Sequence, residues 1–475
     1  MMRFAAVRTL VIASLAARGC GSGAPSTPQA GARPPGQGPT CGPLLVVGVD
    51  GLEWDVLLDL LARGTLPTVA RIMQQGSFGL LETVRPTSSP IIWTTIATGK
   101  PKEQHGIEGF ARRDESGRRT ALYSNRDRKT KAVWNILCDY GQRVGVVGWW
   151  MTYPVEPIHG VMVAQTNTLD RQQGWKGRLM PGLPGQVHPP QRQAEMLALL
   201  EQSEARLDEL TVQIFGAFRH PLSELDRGLW DKSRWAFRAD ATYHQIALRL
   251  LGERPAFDVL LVYFGGTDVV GHRFWRYYQP ELYRHPPSAE QLEDLGGVLP
   301  SYYAYVDRVV GELLAAAPPN VSLLLLSDHG MHGVNRQGTY DNSAASRGGG
   351  AELSGHHRDA PPGALLAMGP FVRRMGLPRS VGALRREGLT TVGTVMDIAP
   401  TILAAMRIPL GRDMEGRVLE RLFTPEFDIA RQPPPVDTHD TPEFRAERPK
   451  PPQAGAGERE RMEQLKALGY IGDDD

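Results

Sequence analysis

Three continuous apolar segments that end in acidic residues or histidine constrain the fold more than any other feature of this sequence. The segments are Leu44–Val49, Phe257–Phe264 and Val321–Leu326. Apolar runs of this length without alternation are typical of strands that are buried on both faces of a largely parallel sheet. Ligands of open α/β sheets bind at the carboxyl ends of the strands, so the residues that follow these runs are candidate site residues.

The residues at these strand ends are of types that bind metal ions. Five of them follow the three strands in order: Asp50, then Asp268 and His272, then Asp328 and His329. A single Asp after a strand commonly forms a turn. Two Asp–His pairs and a third Asp together indicate a metal site instead. The spacing of four residues between Asp268 and His272 places both on one side of a helix.

A hydroxyl cluster, PTSSP at residues 86–90, precedes a predicted helix at Ile91–Thr98. Pro90 is tolerated in the first turn of such a helix. Free backbone N–H groups and the positive end of the helix dipole favour phosphate at this position. Ser88 and Ser89 are therefore candidate nucleophiles, although either one could serve only as the N-cap.

The candidate ligands form two sets of three, and each set suits one divalent ion. The first set is Asp50, Asp328 and His329; the second is Asp268, His272 and either His357 or His356. Three protein ligands and one open position are the catalytic pattern for zinc, and mixed His and Asp ligands also suit manganese or iron. Two ions about 4 Å apart can clamp an in-line displacement at phosphorus. A hydroxyl bound to such an ion is acidified and needs no histidine base.

The order of these motifs resembles that of the alkaline phosphatase superfamily and, within it, of the type I phosphodiesterase / nucleotide pyrophosphatase family. The motifs are GVDGL, PTSSP…TGK…HGI and SDHGM, supported by FGGTDVVGH, GHHR…GALLAMGP and VMDIAPTILAAM with DMEG. They cover Leu44 to Leu419. The resemblance implies an α/β fold, a three-layer sandwich with a mostly parallel central sheet and an inserted cap. It also implies a phosphoric ester hydrolase.

Carried over residue by residue, the resemblance implies that one metal is bound by the first set and the other by Asp268, His272 and His357. It implies that Ser89 is the nucleophile and a further metal ligand. Ser88 remains the alternative nucleophile, His356 the alternative ligand, and His332 is expected beside the ligands rather than among them. The implied cofactors are two divalent ions, most simply zinc, with manganese or iron as alternatives.

One position departs from the family pattern. Many nucleotide-cleaving relatives have an Asn shortly after the nucleophile, whereas this chain has Ile91 and Ile92, which donate no side-chain hydrogen bond. Nucleotide specificity therefore stays open. Lys100 and Arg358 are the cationic residues nearest to the motifs, and the sequence assigns neither to the phosphate.

We expect cleavage of phosphodiester or pyrophosphate bonds in two in-line displacements through a phosphorylated Ser89. The alternatives are a phosphomonoesterase or phosphoglycerol transferase on the same fold, or a non-catalytic metal-binding envelope protein. A sulfatase is disfavoured because no arginine follows SSPII. The expected partner is a small-molecule phosphate ester, since a net charge of +1 gives no argument for specific nucleic-acid binding.

The N-terminus has the layout of a secretory signal, with Arg3 and Arg8 beside an apolar core at Leu10–Ala17. Residues 17–20 resemble a lipobox, in which Cys20 would carry the lipid; a plain secretory signal is the alternative. Residues 21–42 have the Gly-, Pro- and Ser-rich composition of a flexible tether. We therefore expect a cell-envelope location, periplasmic or at the outer surface, with membrane contact only through Cys20.

The rest of the chain predicts one catalytic domain at 43–425, with cap insertions at about 170–238 and 274–299. A helix is expected at Val392–Met406, and a poorly packed tail from Arg431, within a region 426–475 that ends in a helix at Glu458–Leu468. No later apolar span is long enough to cross a membrane. Two cysteines besides Cys20, Cys41 and Cys138, remain for a disulfide, and the sequence leaves their pairing open.

Overall fold

A computed structural model describes residues 40–444, apart from 115, 117–118, 166–168, 171–173, 176–184, 335–352, 378–383, 385–387 and 443. The predicted signal with Cys20, nearly all of the predicted tether, and the predicted terminal helix at Glu458–Leu468 lie outside the described residues. Those expectations stay predictions.

The strands of the described residues are, in chain order, β1 (Leu44–Val49), β2 (Ser77–Glu82), β3 (Ala111–Arg113), β4 (Arg119–Leu122), β5 (Val144–Val147), β6 (Gly160–Val163), β7 (Leu169–Asp170), β8 (Gly174–Trp175), β9 (Val187–His188), β10 (Val259–Phe264), β11 (Ser322–Leu326), β12 (His332–Gly333), β13 (Gly355–His356), β14 (Gly363–Met368) and β15 (Thr391–Thr394). The α-helices are α1 (Trp54–Ala62), α2 (Pro67–Gln75), α3 (Ser89–Thr98), α4 (Lys102–His105), α5 (Val133–Asp139), α6 (Gln193–Ala205), α7 (Leu207–Phe215), α8 (Glu224–Leu251), α9 (Gly266–Tyr278), α10 (Ala289–Leu295), α11 (Val298–Ala316) and α12 (Ile398–Ala405).

Among the described residues, nine strands form one mixed sheet in the order β15-β2-β14-β11-β1-β10-β5-β6-β9. Strands β14 and β9 run against the others, which are parallel. Every residue of β1, β10 and β11 is buried, so both faces of the central strands are covered. Helix α8 packs on β10 and β5, and α2 packs on β14 and β2. This architecture confirms the predicted mostly parallel sheet with flanking helices.

The prediction of a helix at Val392–Met406 is wrong for the first half of this segment. Residues 391–394 form the edge strand β15, which pairs in parallel with β2, and α12 begins only at Ile398. Two of these four residues are threonine and one is valine, types that favour strands over helices. Asp397 ends the strand, because its carboxylate accepts a hydrogen bond from the backbone N–H of Thr394 at 2.7 Å.

The tail expected to be poorly packed after Arg431 is instead held against the domain up to about residue 442. Val436 pairs with Gly411, and His439 and Asp440 are buried. Asp440 forms an ion pair with a buried lysine far away in sequence, and composition does not reveal such a contact.

Helix α8 runs without interruption across residue 238, where the first predicted cap insertion ends. The extents of the two insertions stay predictions. Cys41 and Cys138 are both free thiols rather than a disulfide. Within the part of the chain that the structure describes, no helix has the length and apolar character needed to span a membrane.

Candidate metal centre and active site

The predicted ligands converge where β1, β10 and β11 end. Since these three strands are parallel and adjacent, their carboxyl ends lie at one edge of the sheet. Within each of two groups, the potential ligand atoms lie within 4.8 Å of one another: Asp50, Asp328 and His329 in the first, and Asp268, His329 and His357 in the second. The first group is the first predicted set.

The second group contains His329 where the predicted set has His272. The Nε2 atom of His272 nevertheless lies 3.3 Å from Oδ1 of Asp268, and the His272 and His357 rings are 4.9 Å apart. His329 stacks on His357 with 4.1 Å between ring centroids. The six predicted residues therefore form one continuous cluster, with His329 between its two halves.

Four atoms that face each other in this cluster make no hydrogen bond within the described residues: Oδ1 of Asp50, Oδ1 of Asp268, Oδ2 of Asp328 and Nε2 of His329. Nε2 of His329 lies 3.4 Å from Oδ1 of Asp50 and 3.3 Å from Oδ2 of Asp328. The three aspartates are at most 1% exposed. A buried carboxylate oxygen without a donor is costly, and bound cations would satisfy these atoms and reduce the repulsion between the carboxylates. The donor set therefore fits divalent metal ions.

Backbone carbonyls orient two of the imidazoles. Nδ1 of His329 lies 3.0 Å from the carbonyl of Gly330, and Nδ1 of His272 lies 2.8 Å from the carbonyl of Gly355. A carbonyl only accepts hydrogen bonds, so Nδ1 donates and the neutral ring keeps its lone pair on Nε2. In both histidines Nε2 is the atom nearest to a cluster carboxylate.

Asp50 is oriented by two aromatic side chains that the sequence analysis missed. Its Oδ2 atom accepts hydrogen bonds from Nε1 of Trp93 at 3.0 Å and from the hydroxyl of Tyr263 at 2.7 Å. Oδ1 is thereby left for the cluster. Both residues stand in apolar runs, where a buried polar tip needs a partner, and this was the available signal.

Gly51 allows the loop after β1 to pass close to Asp268, in the first turn of α9 after β10. Its φ is +66°, a conformation that favours glycine, and a Cβ atom there would lie 3.1 Å from Cα of Asp268. The backbone N–H of Gly51 donates to Oδ1 of Asp328 at 3.3 Å. The glycine after Asp50 therefore brings the two halves of the cluster together.

The pKa values of the three carboxylates are shifted in different directions because the surroundings of the carboxylates differ. Burial raises the pKa of Asp50, and the neighbouring Asp268 adds to this rise. Burial and the nearby Asp50 raise the pKa of Asp328 well above its ordinary range. Burial acts in the same direction on Asp268, but His272 and His357 outweigh it and hold its pKa below the usual value. Without metal, a proton is therefore held more readily by Asp50 and Asp328 than by Asp268.

The candidate nucleophile is the first residue of α3, and neighbouring residues on both sides of it contact residues of the cluster. Ser89 is the first residue of the helix and is buried, whereas Ser88 is the half-buried N-cap. Two residues before Ser89, the Thr87 hydroxyl donates to the carbonyl of His357 at 2.6 Å. Four residues after it, Trp93 donates to Asp50. Both sides of Ser89 are thus attached to ligand-bearing residues.

The structure brings His357 rather than His356 into the cluster. His356 lies in β13 opposite His332 of β12, and these two rings are 4.2 Å apart. The predicted neighbour His332 is therefore beside the ligand loop and, with His356, outside both ligand groups.

Lys100, one of the two cations nearest to the motifs, is occupied by carboxylates. Its Nζ atom lies 2.5 Å from Oδ2 of Asp413 and 2.9 Å from Oδ2 of Asp440, and its side chain is 3% exposed. The lysine of the TGK motif therefore fastens the C-terminal segment to α3, and this explains its position in the sequence without a role in phosphate binding.

Replacing Lys100 with methionine is expected to lower the free energy of unfolding by about 3–5 kcal/mol, because Asp413 and Asp440 would lose their buried partner. Urea denaturation followed by circular dichroism measures this change. The control is Lys102→Met, since Lys102 is 36% exposed and its contact with Glu103 is long at 3.7 Å. The control should stay within about 0.5 kcal/mol of the wild type. Equal stability of the two variants would contradict the assigned role.

Comparison with known families agrees with the site geometry. Residues 44–373 match the family model described as type I phosphodiesterase / nucleotide pyrophosphatase. A comparison with curated proteins finds no match.

Several solved structures are similar to this chain. Murine ectonucleotide pyrophosphatase / phosphodiesterase 5 is 14% identical, with 77% of this chain and 95% of that chain covered and a TM-score of 0.43. A mutant of the alkaline phosphatase PafA is 14% identical, with 81% and 99% covered and a TM-score of 0.48. Phosphonoacetate hydrolase from Sinorhizobium meliloti 1021 is 18% identical, with 62% and 57% covered and a TM-score of 0.38. The family assignment rests on the sequence match rather than on these structures.

Proposed function

The chain belongs to the type I phosphodiesterase / nucleotide pyrophosphatase family, and from this premise we propose that it cleaves phosphodiester or pyrophosphate bonds at a two-metal site with Ser89 as nucleophile. Membership makes the chain a phosphoric ester hydrolase of a metal-dependent family. The number and identity of the ions, the nucleophile and the bond cleaved are the proposed parts.

One observation carries the proposal: the buried cluster of carboxylates and imidazoles has unsatisfied ligand atoms, and Thr87 and Trp93 link it to the start of α3, where Ser89 lies. Asp50, Asp328 and His329 would hold one ion, and Asp268, His272 and His357 the other. Mixed oxygen and nitrogen donors suit zinc, with manganese or iron as alternatives. When bound, the ions would acidify the serine hydroxyl and offset the charge on the leaving oxygen.

The reaction follows two in-line displacements. The Oγ atom of Ser89 forms a bond to phosphorus while the bond from phosphorus to the leaving alcohol or phosphate breaks, and the leaving oxygen is protonated. The backbone N–H of Ser89 and the positive dipole end of α3 would stabilise the phosphoryl oxygens of the serine-linked intermediate, since Pro90 has no N–H and Ile91 and Ile92 donate to the Ser88 carbonyl. Water then displaces Oγ, which releases the second product and returns the proton to Ser89.

A diester is favoured over a monoester because the cation of the TGK motif is not available to the substrate. Lys100 is buried between two aspartates, and a phosphate dianion would need more positive charge near the metals than a diester monoanion. The predicted insertions at about 170–238 and 274–299 would select the leaving group. A cell-envelope location stays part of the proposal, and it rests on the pattern of residues 1–20 alone.

Hydrolysis of bis-p-nitrophenyl phosphate and of p-nitrophenyl phosphate, compared with zinc and with EDTA, tests the proposal. We expect kcat/KM for the diester to exceed that for the monoester by at least about tenfold, and both activities to disappear with EDTA.

A preference for the monoester would make the enzyme a phosphatase and overturn the diester assignment. A folded protein that retains calcium but hydrolyses neither ester with zinc, manganese or iron would favour the non-catalytic alternative. Transfer of a phosphoglycerol group to an acceptor hydroxyl in place of water would favour the transferase alternative.

A further inference from the structure

We propose that Asp240, which lies outside every sequence motif, positions the helix that carries two of the metal ligands. Asp240 belongs to α8, and Asp268 and His272 belong to α9. The inference rests on the proposed metal-binding role of Asp268 and His272, and it adds a residue that acts through them without contacting the ions.

Asp240 is 1% exposed, and its carboxylate is surrounded by hydrogen-bond donors. Oδ1 accepts from the backbone N–H of Gly265 at 3.0 Å, and Oδ2 accepts from that of Gly266 at 3.0 Å. The hydroxyl of Tyr302, in α11, also donates to Oδ2 at 2.7 Å. The carboxylate therefore caps the N-terminus of α9 and connects three helices at one point.

The cap has to come from another helix because no side chain fits at the start of α9. A Cβ atom at Gly266 would lie 1.8 Å from the hydroxyl oxygen of Tyr302, and one at Gly265 would lie 2.8 Å from that of Tyr263. The two glycines thus cannot be replaced by a capping Ser or Asp. Since N–H groups at a buried helix start need an acceptor, Asp240 supplies what the local sequence lacks.

The cap acts on the metal site through the first two turns of α9. Asp268 is the third residue of this helix, and His272 follows one turn later. The carbonyl of Gly355 accepts a hydrogen bond from His272 and so holds the second of these turns. Asp240 holds the first turn in the same way, by accepting from its backbone N–H groups. Without this acceptor, the N-terminal turn would shift to satisfy its N–H groups and displace Asp268. Loss of groups that orient metal ligands typically weakens metal binding about 10–100-fold.

The chain offers a matched control in Asp307 of α11. This residue is 3% exposed, and its carboxylate accepts from the backbone N–H groups of Thr68 at 3.1 Å and Val69 at 2.7 Å, in the first turn of α2. Helix α2 carries none of the proposed ligands. Asp307 therefore has the same burial and the same type of cap as Asp240, but on a helix unconnected with the metals.

Zinc affinity of Asp240→Asn and Asp307→Asn, measured by competition with a chromophoric chelator, tests the inference. Asparagine keeps one acceptor oxygen and places an NH₂ group against the other N–H donor. We expect Asp240→Asn to bind one of the two zinc ions about 10–100-fold more weakly, while Asp307→Asn stays within about twofold of the wild type. Thermal unfolding should show similar destabilisation of both variants, and saturating zinc should restore most of the activity of Asp240→Asn.

The zinc titrations should be carried out at about pH 8.5. Burial raises the pKa of Asp240 to about 7, Asp50 adds to this rise, and the three hydrogen-bond donors act in the opposite direction. The carboxylate is then the main form. Should Asp240→Asn fail to fold, Asp240→Ser, which removes the charge and keeps one short acceptor, is expected to show the same loss of zinc affinity.

Wild-type zinc affinity in Asp240→Asn, or an equal loss in Asp307→Asn, would overturn the inference and leave the proposed function intact. A wild-type protein that binds no zinc, manganese or iron would overturn the proposed metal site itself. The two failures are thus distinguished by the wild-type titration.

Discussion

Ser89→Ala is expected to lower kcat for bis-p-nitrophenyl phosphate by at least about three orders of magnitude, because the covalent route is lost when the attacking oxygen is removed. Ser89 is buried at the first residue of α3, with Thr87 bound to the His357 carbonyl on one side and Trp93 bound to Asp50 on the other. Both contacts flank Ser88 as well, and it is the burial of Ser89 against the half-buried Ser88 that favours Ser89 as the nucleophile. Steady-state kinetics at saturating zinc measures the loss.

Ser88→Ala provides the matched control, since it removes a hydroxyl from the adjacent residue. Ser88 is the N-cap of α3 but makes no capping hydrogen bond through its side chain, so this variant should keep kcat within about threefold of the wild type. Acid quenching during turnover of the diester, followed by mass spectrometry, should find a p-nitrophenyl phosphate group on Ser89 in the wild type. A large loss in Ser88→Ala with a small one in Ser89→Ala would exchange their roles. Zinc content must stay equal in both variants for the comparison to report on the nucleophile.

The positions of the candidate ligands Asp50, Asp268 and Asp328 were predictable because each follows a strand that the sequence marks clearly, whereas His357 came from the family resemblance. A run such as Leu44–Val49 has no alternation, so it belongs inside a sheet, and Asp50 must then lie at its edge. The choice between His356 and His357 was less certain, since neighbouring residues in an extended segment point to opposite faces. The structure resolves it through the pairing of His356 with His332 in a small two-stranded ladder.

Contacts between residues far apart in sequence were not predictable in the same way. Asp240 caps a helix that starts 26 residues later, and Asp440 binds a lysine 340 residues earlier. Such pairs depend on how distant elements pack. In the sequence, an aspartate that becomes buried cannot be told from one that stays exposed when both lie in polar segments. The prediction for the tail after Arg431 was wrong for this reason. Its composition is that of a loop, and it is held in place by an ion pair between Asp440 and Lys100, a residue in a distant part of the sequence.

Removal of the metals is expected to lower the melting temperature of the protein as well as its activity. Zinc at a thousandfold excess over its Kd stabilises the folded state by about 4 kcal/mol, which corresponds to about 5 °C for a domain of this size. Differential scanning calorimetry with zinc and after EDTA dialysis measures the difference. The effect should be specific to ions that the cluster binds, and magnesium at equal concentration should restore little of it.

The stabilisation by zinc should grow from about pH 5 to about pH 8. Asp50 and Asp328 have raised pKa values in the metal-free folded chain, so their contribution to stability is complete below their unfolded pKa and is lost as pH rises through the folded one. The lowered pKa of Asp268 acts oppositely, and its contribution is lost only when the pH falls below about 4. Metal ions replace the missing protons, so the metal-free protein should weaken with rising pH while the zinc-bound protein does not.

Two variants separate the halves of the cluster. His329 belongs to both ligand groups and stacks on His357, so His329→Ala should remove the first ion, weaken binding of the second and abolish the pH-dependent gain in melting temperature. Within the described part of the chain, His272 is paired with Asp268 and with no other carboxylate of the cluster, so His272→Ala should retain about one ion and part of the gain. Equal zinc content in the two variants would mean that His329 does not lie between two ions, and a gain that is independent of pH would mean that zinc binds away from Asp50 and Asp328.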